Sequence, residues 1–410
     1  MDVLVVSSKY PPEYAGSGLR IHRTWKRLLP MLDARVRVLC GSVEYDTPTR
    51  YDWEGIPVQR LASPGWRALE RATPDGLRRL SAAARFHAEF FQALGQLRSM
   101  RCDLVHVVGM CPATSAAIAW ARARDLPLVV ELVNTGAEPF QPPPGLARAW
   151  RFRLDRRTLV VAISGKLREI CVRFGLEANA WQRPNPVDEG RFYPPTPHER
   201  DALRRSFTPF GPDDRVVTWV ANFIPGKNQG FLVEMLARLP EHFKLVLAGP
   251  LVENGPLGQR NRAHMAAIRQ RIAELGLARR VHLVTGFVDA AAYTRLADVV
   301  AIPSLAEGLS TPMLEGLACG CPVVANGGEP AFRDWIRDDD NGFLPPLDAE
   351  IWARSVAAVA AWPETCRRRL SAEVLAQAST RAVDGAFVRL VRALRALPPD
   401  GTLDVSAALA

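Results

Sequence analysis

A two-domain α/β protein built on doubly wound parallel sheets is the fold class this sequence predicts, and three observations predict it. Short runs rich in Val and Leu recur along the chain without the polar–apolar alternation of a half-exposed sheet. Helical patterns separate them, so strand–helix units repeat from end to end. The runs are too many for one open sheet, and 410 residues leave room for two cores of ordinary size.

Taken in order, the runs of the first half are 3–7, 35–40, 57–61, 104–108, 128–133 and 159–163, and those of the second are 216–220, 245–248, 281–284, 298–302 and 322–325. A stretch rich in Pro and charge, "YPPTPHERDALRRSFTPFGPDD", precedes the first run of the second half and marks the boundary. Residues 1–205 are therefore expected to form one domain and 206–380 a second. After Trp362 the apolar positions Leu370, Val374 and Leu375, then Phe387, Leu390, Val391 and Leu394, fall at helical spacing. No tandem repeat or low-complexity segment interrupts the pattern.

Composition removes several function classes. No apolar run reaches the roughly 18–20 residues a membrane-spanning helix needs. "MDVLVVSSKY" lacks a basic n-region and reads as a buried strand, so the expectation is a soluble, cytoplasmic protein. Seven cysteines contain no CxxC pair, and Cys319 and Cys321 are spaced for neither zinc nor a disulfide; they read as buried small side chains. The net charge of +9 is uneven: residues 1–205 carry 31 Lys+Arg against 21 Asp+Glu, residues 206–410 carry 21 against 22. The basic half suits an acidic acceptor or an anionic membrane surface, and no motif supports nucleic acid.

In open parallel sheets ligands bind where loops leave the carboxyl ends of strands, and the unusual residues lie there. After the first strand, Gly16-Ser17-Gly18 leads into a helix, an arrangement that brings backbone N–H groups and a helix dipole to an anion. The spacing is not GxGxxG, which disfavours an ordinary dinucleotide site. After the first strand of the second half, Lys227 stands beside Gly226 at a helix start, within reach of phosphate oxygens. In "SLAEGLSTPMLEGLACGCPVVA" a loop holding Glu307 precedes a helix opened by Pro312. Glu315 then falls at the third or fourth helical position, where a capping box would put an acid, which leaves Glu307 unexplained. Free amides over 309–313 suit a diphosphate, and a carboxylate on each side suits sugar hydroxyls. As chemistry, the set binds a nucleotide sugar and stabilises a departing diphosphate.

These motifs resemble the retaining GT-B glycosyltransferases of family 4. "YPPEYAGSG" is similar to the family's glycine loop and "DLVHVVG" to its Asp-x-x-His strand at Asp103 and His106. "VVAISGKLRE" with "RPNPVDEGRFYP" matches its serine strand and Pro-Asn-x-Val-Asp turn. "EGLSTPMLEGLACGCPVVA" matches its Glu-x7-Glu signature, and "NGFLPP" the segment that follows. The resemblance implies two Rossmann-like domains facing across a cleft, with residues 381–410 returning to the N-terminal one. It implies that Glu307 holds the transferred sugar, Glu315 the ribose and Lys227 the diphosphate. Gly16, Gly18 and the amides of Leu309, Ser310 and Thr311 assist at the diphosphate, Asn222 and Gly308 join the donor site, and the loop containing Phe287 cradles the base.

Two positions depart from the family. Asn222 stands where an arginine is common, and Asn134 or Thr135 where a histidine is common. Asn134 is then the candidate beside the reacting sugar, and Arg20 an added cation for phosphate. The implied activity is retaining transfer from a UDP- or GDP-sugar to a glycan or lipid-linked acceptor in glycan, glycolipid or envelope-polysaccharide synthesis. No metal or other cofactor is expected, and "RDDDNG" reads as a solvated turn. The implied location is the cytoplasm, at the inner face of the membrane, with peripheral contact through the basic half, where "LARAWRFRLDRRT" interleaves aromatics with arginines. The two departures also carry a second reading, a non-catalytic nucleotide-sugar binder or partner subunit. His106, inside an apolar strand, reads as structural.

Overall fold

The computed structural model describes all residues except 14, 43–44, 46, 63–64, 66–67, 69–71, 134–153 and 254–257. The chain divides into two compact units, Met1–Arg183 together with Asp384–Ala410, and Pro184–Val383.

The first unit is organised on an eight-stranded sheet. Its strands are β1 (Asp2–Ser7), β2 (Arg35–Cys40), β3 (Thr49–Trp53), β4 (Ile56–Arg60), β5 (Leu104–Val108), β6 (Leu128–Leu132), β7 (Thr158–Ala162) and β8 (Ala180–Gln182). Their order is β3-β4-β2-β1-β5-β6-β7-β8, parallel except for the β3–β4 hairpin. Val3, Val5 and Val6 of β1 and every residue of β5, β6 and β7 are buried, which explains their unbroken apolar reading. β3 ("TRYDW") and the three-residue β8 are absent from the sequence reading. β3 is an exposed polar edge strand, turned by Glu54 and Gly55 at positive φ, and carries no apolar run to read.

The second unit holds six strands, β9 (Arg215–Val220), β10 (Phe243–Gly249), β11 (Val281–Thr285), β12 (Val299–Ile302), β13 (Val323–Ala325) and β14 (Gly342–Phe343). The order is β11-β10-β9-β12-β13-β14, and every pairing is parallel. Strands β10 and β11 run out from β9 on one side, and β12 to β14 on the other. Val217 of β9 faces Val299 of β12, so the strand order reverses between these two. In doubly wound sheets ligands bind at the carboxyl ends of the strands beside such a reversal.

Close packing fixes the elements around this reversal. The helix Thr311–Ala318 buries Met313, Leu314 and Leu317, each contributing about 1.5–3 kcal/mol. At Gly249, φ is +146° and a Cβ would stand 2.2 Å from the Ala221 carbonyl oxygen, so only glycine lets β10 leave so close to the loop after β9.

The unit boundary falls at 183/184 and not at 205/206. The Pro- and charge-rich stretch contains the helix Pro197–Phe207, opened by a capping box between Thr196 and Glu199. Arg204 of that helix donates to Asp298 Oδ2 at 2.7 Å and to the Leu296 carbonyl at 3.0 Å, so the helix is part of the second unit. In the first unit, the terminal segment brings Phe387 against Trp25, His106 and Trp181, with Trp181 stacked at 13°.

Candidate functional site

Lys227 and Glu307 leave the sheet on either side of the strand-order reversal. The loop after β9 runs through a one-turn 3-10 helix, Pro225–Lys227, and the loop after β12 carries residues 303–310. The two loops are laced together: the Leu305 amide donates to the Gly226 carbonyl at 2.9 Å and Asn228 Nδ2 to the Pro303 carbonyl at 3.3 Å. Across them the Lys227 ammonium donates to Glu307 Oε1 in a direct ion pair. The Lys227 side chain is 23% exposed and that of Glu307 8%, so the pair is shielded yet reachable from one side. Trp219 of β9 supports it from below. Its indole N–H donates to the Lys227 carbonyl at 3.2 Å, and the ammonium lies 5.9 Å from its ring centroid.

The helix Thr311–Ala318 points its N-terminus toward the same end of the sheet. Ser310 is its N-cap, with Pro312 in the first turn, and no side chain caps it. Among the described residues no backbone carbonyl takes the amides of Leu309, Ser310 or Thr311, whereas the Met313 amide is used by the Ser310 carbonyl at 3.1 Å. The expectation of free amides over 309–313 therefore narrows to 309–311. Ser310 is 2% exposed, and its hydroxyl has no hydrogen-bond partner among the described residues. Thr311 Oγ1 accepts from Asn185 Nδ2 at 2.8 Å. Glu315 is the fifth residue of the helix, and the capping-box position belongs to Met313. The capping explanation of Glu315 is thus corrected, because the helix begins at Thr311.

The remaining site residues fall as follows. Gly308 is half-buried beside Glu307, and Asn222 lends its carbonyl to Gln229 Nε2 at 2.8 Å. Phe287 is 81% exposed on the loop after β11, two strand spacings, about 10 Å, from β9. Gly16 and Gly18 are in the first unit. Gly16 is open, whereas a Cβ on Gly18 would stand 2.7 Å from the Lys9 carbonyl, so Gly18 is required for the helix Gly16–Leu32 to pack on the exit of β1. Asn134, Thr135, Trp150 and Phe152 lie outside the described residues. "RDDDNG" is a turn, with Arg337 Nε donating to Asp340 Oδ2 at 2.7 Å. Cys319 and Cys321 are buried free thiols, and burial pushes both up.

The first unit has its own buried polar centre. Glu131 Oε1 accepts from Arg183 Nη2 at 2.9 Å and from Arg20 Nη2. Burial alone would raise the Glu131 carboxyl, but Arg183 and Arg20 together hold it well below the usual carboxylate range. Burial draws the Arg20 guanidinium down to about 10. Trp25 Nε1 donates to His106 Nδ1 at 3.2 Å, which places the imidazole proton on Nε2, 3.5 Å from Glu131 Oε2. Burial lowers the His106 pKa, and its ring is fully enclosed: it is a structural histidine.

Sequence reasoning missed Asn185, Trp219, Asn326 and Glu329. The loop after β13 is tied to the Glu307 loop by Asn326 Nδ2 to the Ser304 carbonyl at 3.0 Å, and by the Glu307 amide to Glu329 Oε2 at 3.0 Å. The only signal in the sequence was an acid between Gly-Gly and Pro, which reads as a turn.

Residues 214–361 match the family described as Glycosyl transferases group 1, and residues 11–185 match the Glycosyl transferase 4-like domain. The chain belongs to the GT-B glycosyltransferases of family 4. It is similar to the putative teichuronic acid biosynthesis glycosyltransferase TuaC of Bacillus subtilis, 24% identical over 79% of this chain and 80% of that protein. The putative glycosyltransferase EpsD of B. subtilis is 33% identical over 44% of this chain, and the D-inositol 3-phosphate glycosyltransferase of Mycolicibacterium gilvum 31% over 52%. The matched stretch spans less than half the length of these two relatives, 45% and 47%. Among solved structures, HepE of Anabaena in complex with UDP superposes with a TM-score of 0.71 at 18% identity, covering 96% of this chain and all of that one. Sucrose-phosphate synthase of Thermosynechococcus elongatus gives 0.70 at 18% identity over 95% and 98%. The fold is thus GT-B, two parallel-sheet α/β domains. Among the described residues no helix is long and apolar enough to cross a membrane.

Proposed function

We propose that this protein is a retaining glycosyltransferase that moves a sugar from a nucleotide-diphosphate sugar to an acceptor hydroxyl in envelope-polysaccharide or glycolipid synthesis. The observation that carries the proposal is the Lys227–Glu307 pair at the strand-order reversal of the second unit, beside a helix N-terminus with open amides. A diphosphate at that end meets the Lys227 ammonium, the amides of 309–311 and the helix dipole. These groups stabilise negative charge as the sugar–phosphate bond breaks, so they act on the leaving group. Lys227 then turns from Glu307 to phosphate, and the released carboxylate accepts from hydroxyls of the sugar. Glu315, one turn further, accepts from the ribose hydroxyl pair. The acceptor hydroxyl attacks the anomeric carbon from the face the diphosphate leaves, and its proton passes to a leaving phosphate oxygen. No metal or other cofactor takes part.

UDP heads the donor candidates, because HepE was solved with UDP and with UDP-glucose; GDP is the second. The acceptor class is lipid-linked or anionic, in keeping with the basic first half and with relatives named for teichuronic acid and for a diphospho-undecaprenol glycan. Peripheral attachment of the basic first unit to the inner membrane face would bring the enzyme to such an acceptor.

The test is a thermal-shift screen of UDP-, GDP- and dTDP-sugars, followed by donor-consumption assays and NMR of the product anomer. One donor raising the melting temperature and being consumed, with Glu307→Ala inactive and the donor's anomeric configuration kept, is the expected result. Binding without consumption by either protein would favour a non-catalytic binder. Indifference to every sugar nucleotide removes the proposal.

A further inference from the structure

We infer that Glu329 is a positioning residue for Glu307, an inference that rests on the transferase reading above. Glu329 is 5% exposed, and each oxygen of its carboxylate accepts from a backbone amide. Oε1 accepts from the Ala331 amide at 3.0 Å and caps the 3-10 helix Pro330–Asp334. Oε2 accepts from the Glu307 amide at 3.0 Å, 22 residues away along the chain. A cap needs only the first of these bonds. The second roots the residue whose side chain holds Lys227.

The surroundings give that bond its consequence. Within 303–307, Pro303 and Leu305 are tied to the Lys227 loop, at the Asn228 amide group and the Gly226 carbonyl. Ser304 and Glu307 are tied to the loop after β13, at Asn326 and Glu329. The loop is thus held from two opposite flanks, and Glu329 anchors the one position that carries the sugar-binding carboxylate. The anchor itself is rigid: the Glu329 amide donates to the Asn326 carbonyl at 3.0 Å, and a Cβ on Gly327 would stand 2.2 Å from the Leu344 carbonyl oxygen. A bond from a buried acid to a backbone N–H is of the stronger, charge-assisted kind. Without it, residue 307 is free to rotate its peptide plane, and its carboxylate loses its placement relative to the Lys227 ammonium. The Lys227 loop, the open amides and Glu315 keep their own supports. Nucleotide binding should therefore survive while turnover falls.

Two substitutions separate this role from simple capping. Glu329→Asp retains a short acid that can cap Ala331 but falls one methylene short of Glu307. Glu329→Gln keeps the length and removes one of the two acceptor oxygens. Both are expected to lower kcat about 10- to 100-fold with the KM for the donor within about threefold of wild type, since displacing a positioned group by 1 Å can cost about 100-fold. UDP binding should be unchanged in both. Amide hydrogen exchange at Glu307 should quicken at least about tenfold in both, while Ala331 stays protected in Glu329→Asp. Wild-type kcat in Glu329→Asp, or unaltered exchange at Glu307 in both variants, overturns the inference. If wild-type protein transfers nothing from any donor, the transferase reading fails by itself, and exchange at Glu307 still decides the role of Glu329.

Discussion

Replacing Lys227 by methionine keeps the unbranched apolar stem and removes the charged ammonium, and two consequences follow in different assays. The first is on stability. Exposed ion pairs contribute about 0–1 kcal/mol, whereas removing one partner of a fully buried pair costs about 3–5 kcal/mol. With side chains 23% and 8% exposed, the Lys227–Glu307 pair lies between these limits, and about 2 kcal/mol is expected. For a unit of this size that lowers the melting temperature by about 4–8 °C. The loss should shrink in a Glu307→Gln background, where no charge is left stranded, and a double-mutant cycle by urea denaturation reads the coupling directly. A coupling below about 0.5 kcal/mol would place the pair with fully exposed ones and refute the stability reasoning.

The second consequence is on turnover. The ammonium bridges the two loops at the strand-order reversal. Removing one preorganised group that stabilises developing negative charge costs about 100- to 1000-fold. Lys227→Met should therefore lower kcat/KM by that factor in a donor-consumption assay. Activity within about threefold of wild type would refute the assignment of Lys227 to the diphosphate, whatever the stability data say.

Other consequences are measurable in the same way. Glu131→Gln leaves Arg20 and Arg183 facing a neutral amide, so the first unit should lose about 3–5 kcal/mol to urea. Because the folded carboxyl titrates below its ordinary 4.5, its contribution is complete above that pH and is lost as pH falls further; the difference between wild type and variant should be flat from pH 7 to about 5 and shrink in more acid solution. Asn185→Ala removes the bond to Thr311 Oγ1 at the N-terminus of the helix Thr311–Ala318, and on the proposed function the nucleotide Kd should rise about fivefold, equivalent to about 1 kcal/mol. Gly316→Ala puts a methyl 2.9 Å from Val300 Cγ2 where the helix meets β12, and should cost about 1–3 kcal/mol with a matching fall in melting temperature.

What the sequence disclosed, and what it hid, divides along a physical line. Residues 216–220 and 298–302 were readable because a strand covered on both faces is apolar throughout, and a fixed rule places ligands at its carboxyl end. Lys227 and Glu307 were readable for the same reason: each sits a few residues beyond such a strand, so local pattern plus topology brings them together. Glu329 obeys no such rule. Its partner is 22 residues away, and the two meet because β12 and β13 are neighbours in the sheet. Asn185 looked like part of a connection, and Trp219 like one more apolar strand residue; the indole N–H that steadies Lys227 has no periodic signature. The same reasoning accounts for the misplaced boundary, where Pro and charge suggested a linker. The Thr196–Glu199 capping box was a local signal of a helix, but only the distant Asp298 decides that Arg204 draws that helix into the second unit. Residues at strand ends announce themselves, whereas the groups that hold them in place are chosen by tertiary contact. A search for the latter has to begin from which loops adjoin, and at this site that leads to the carboxylate beneath residue 307.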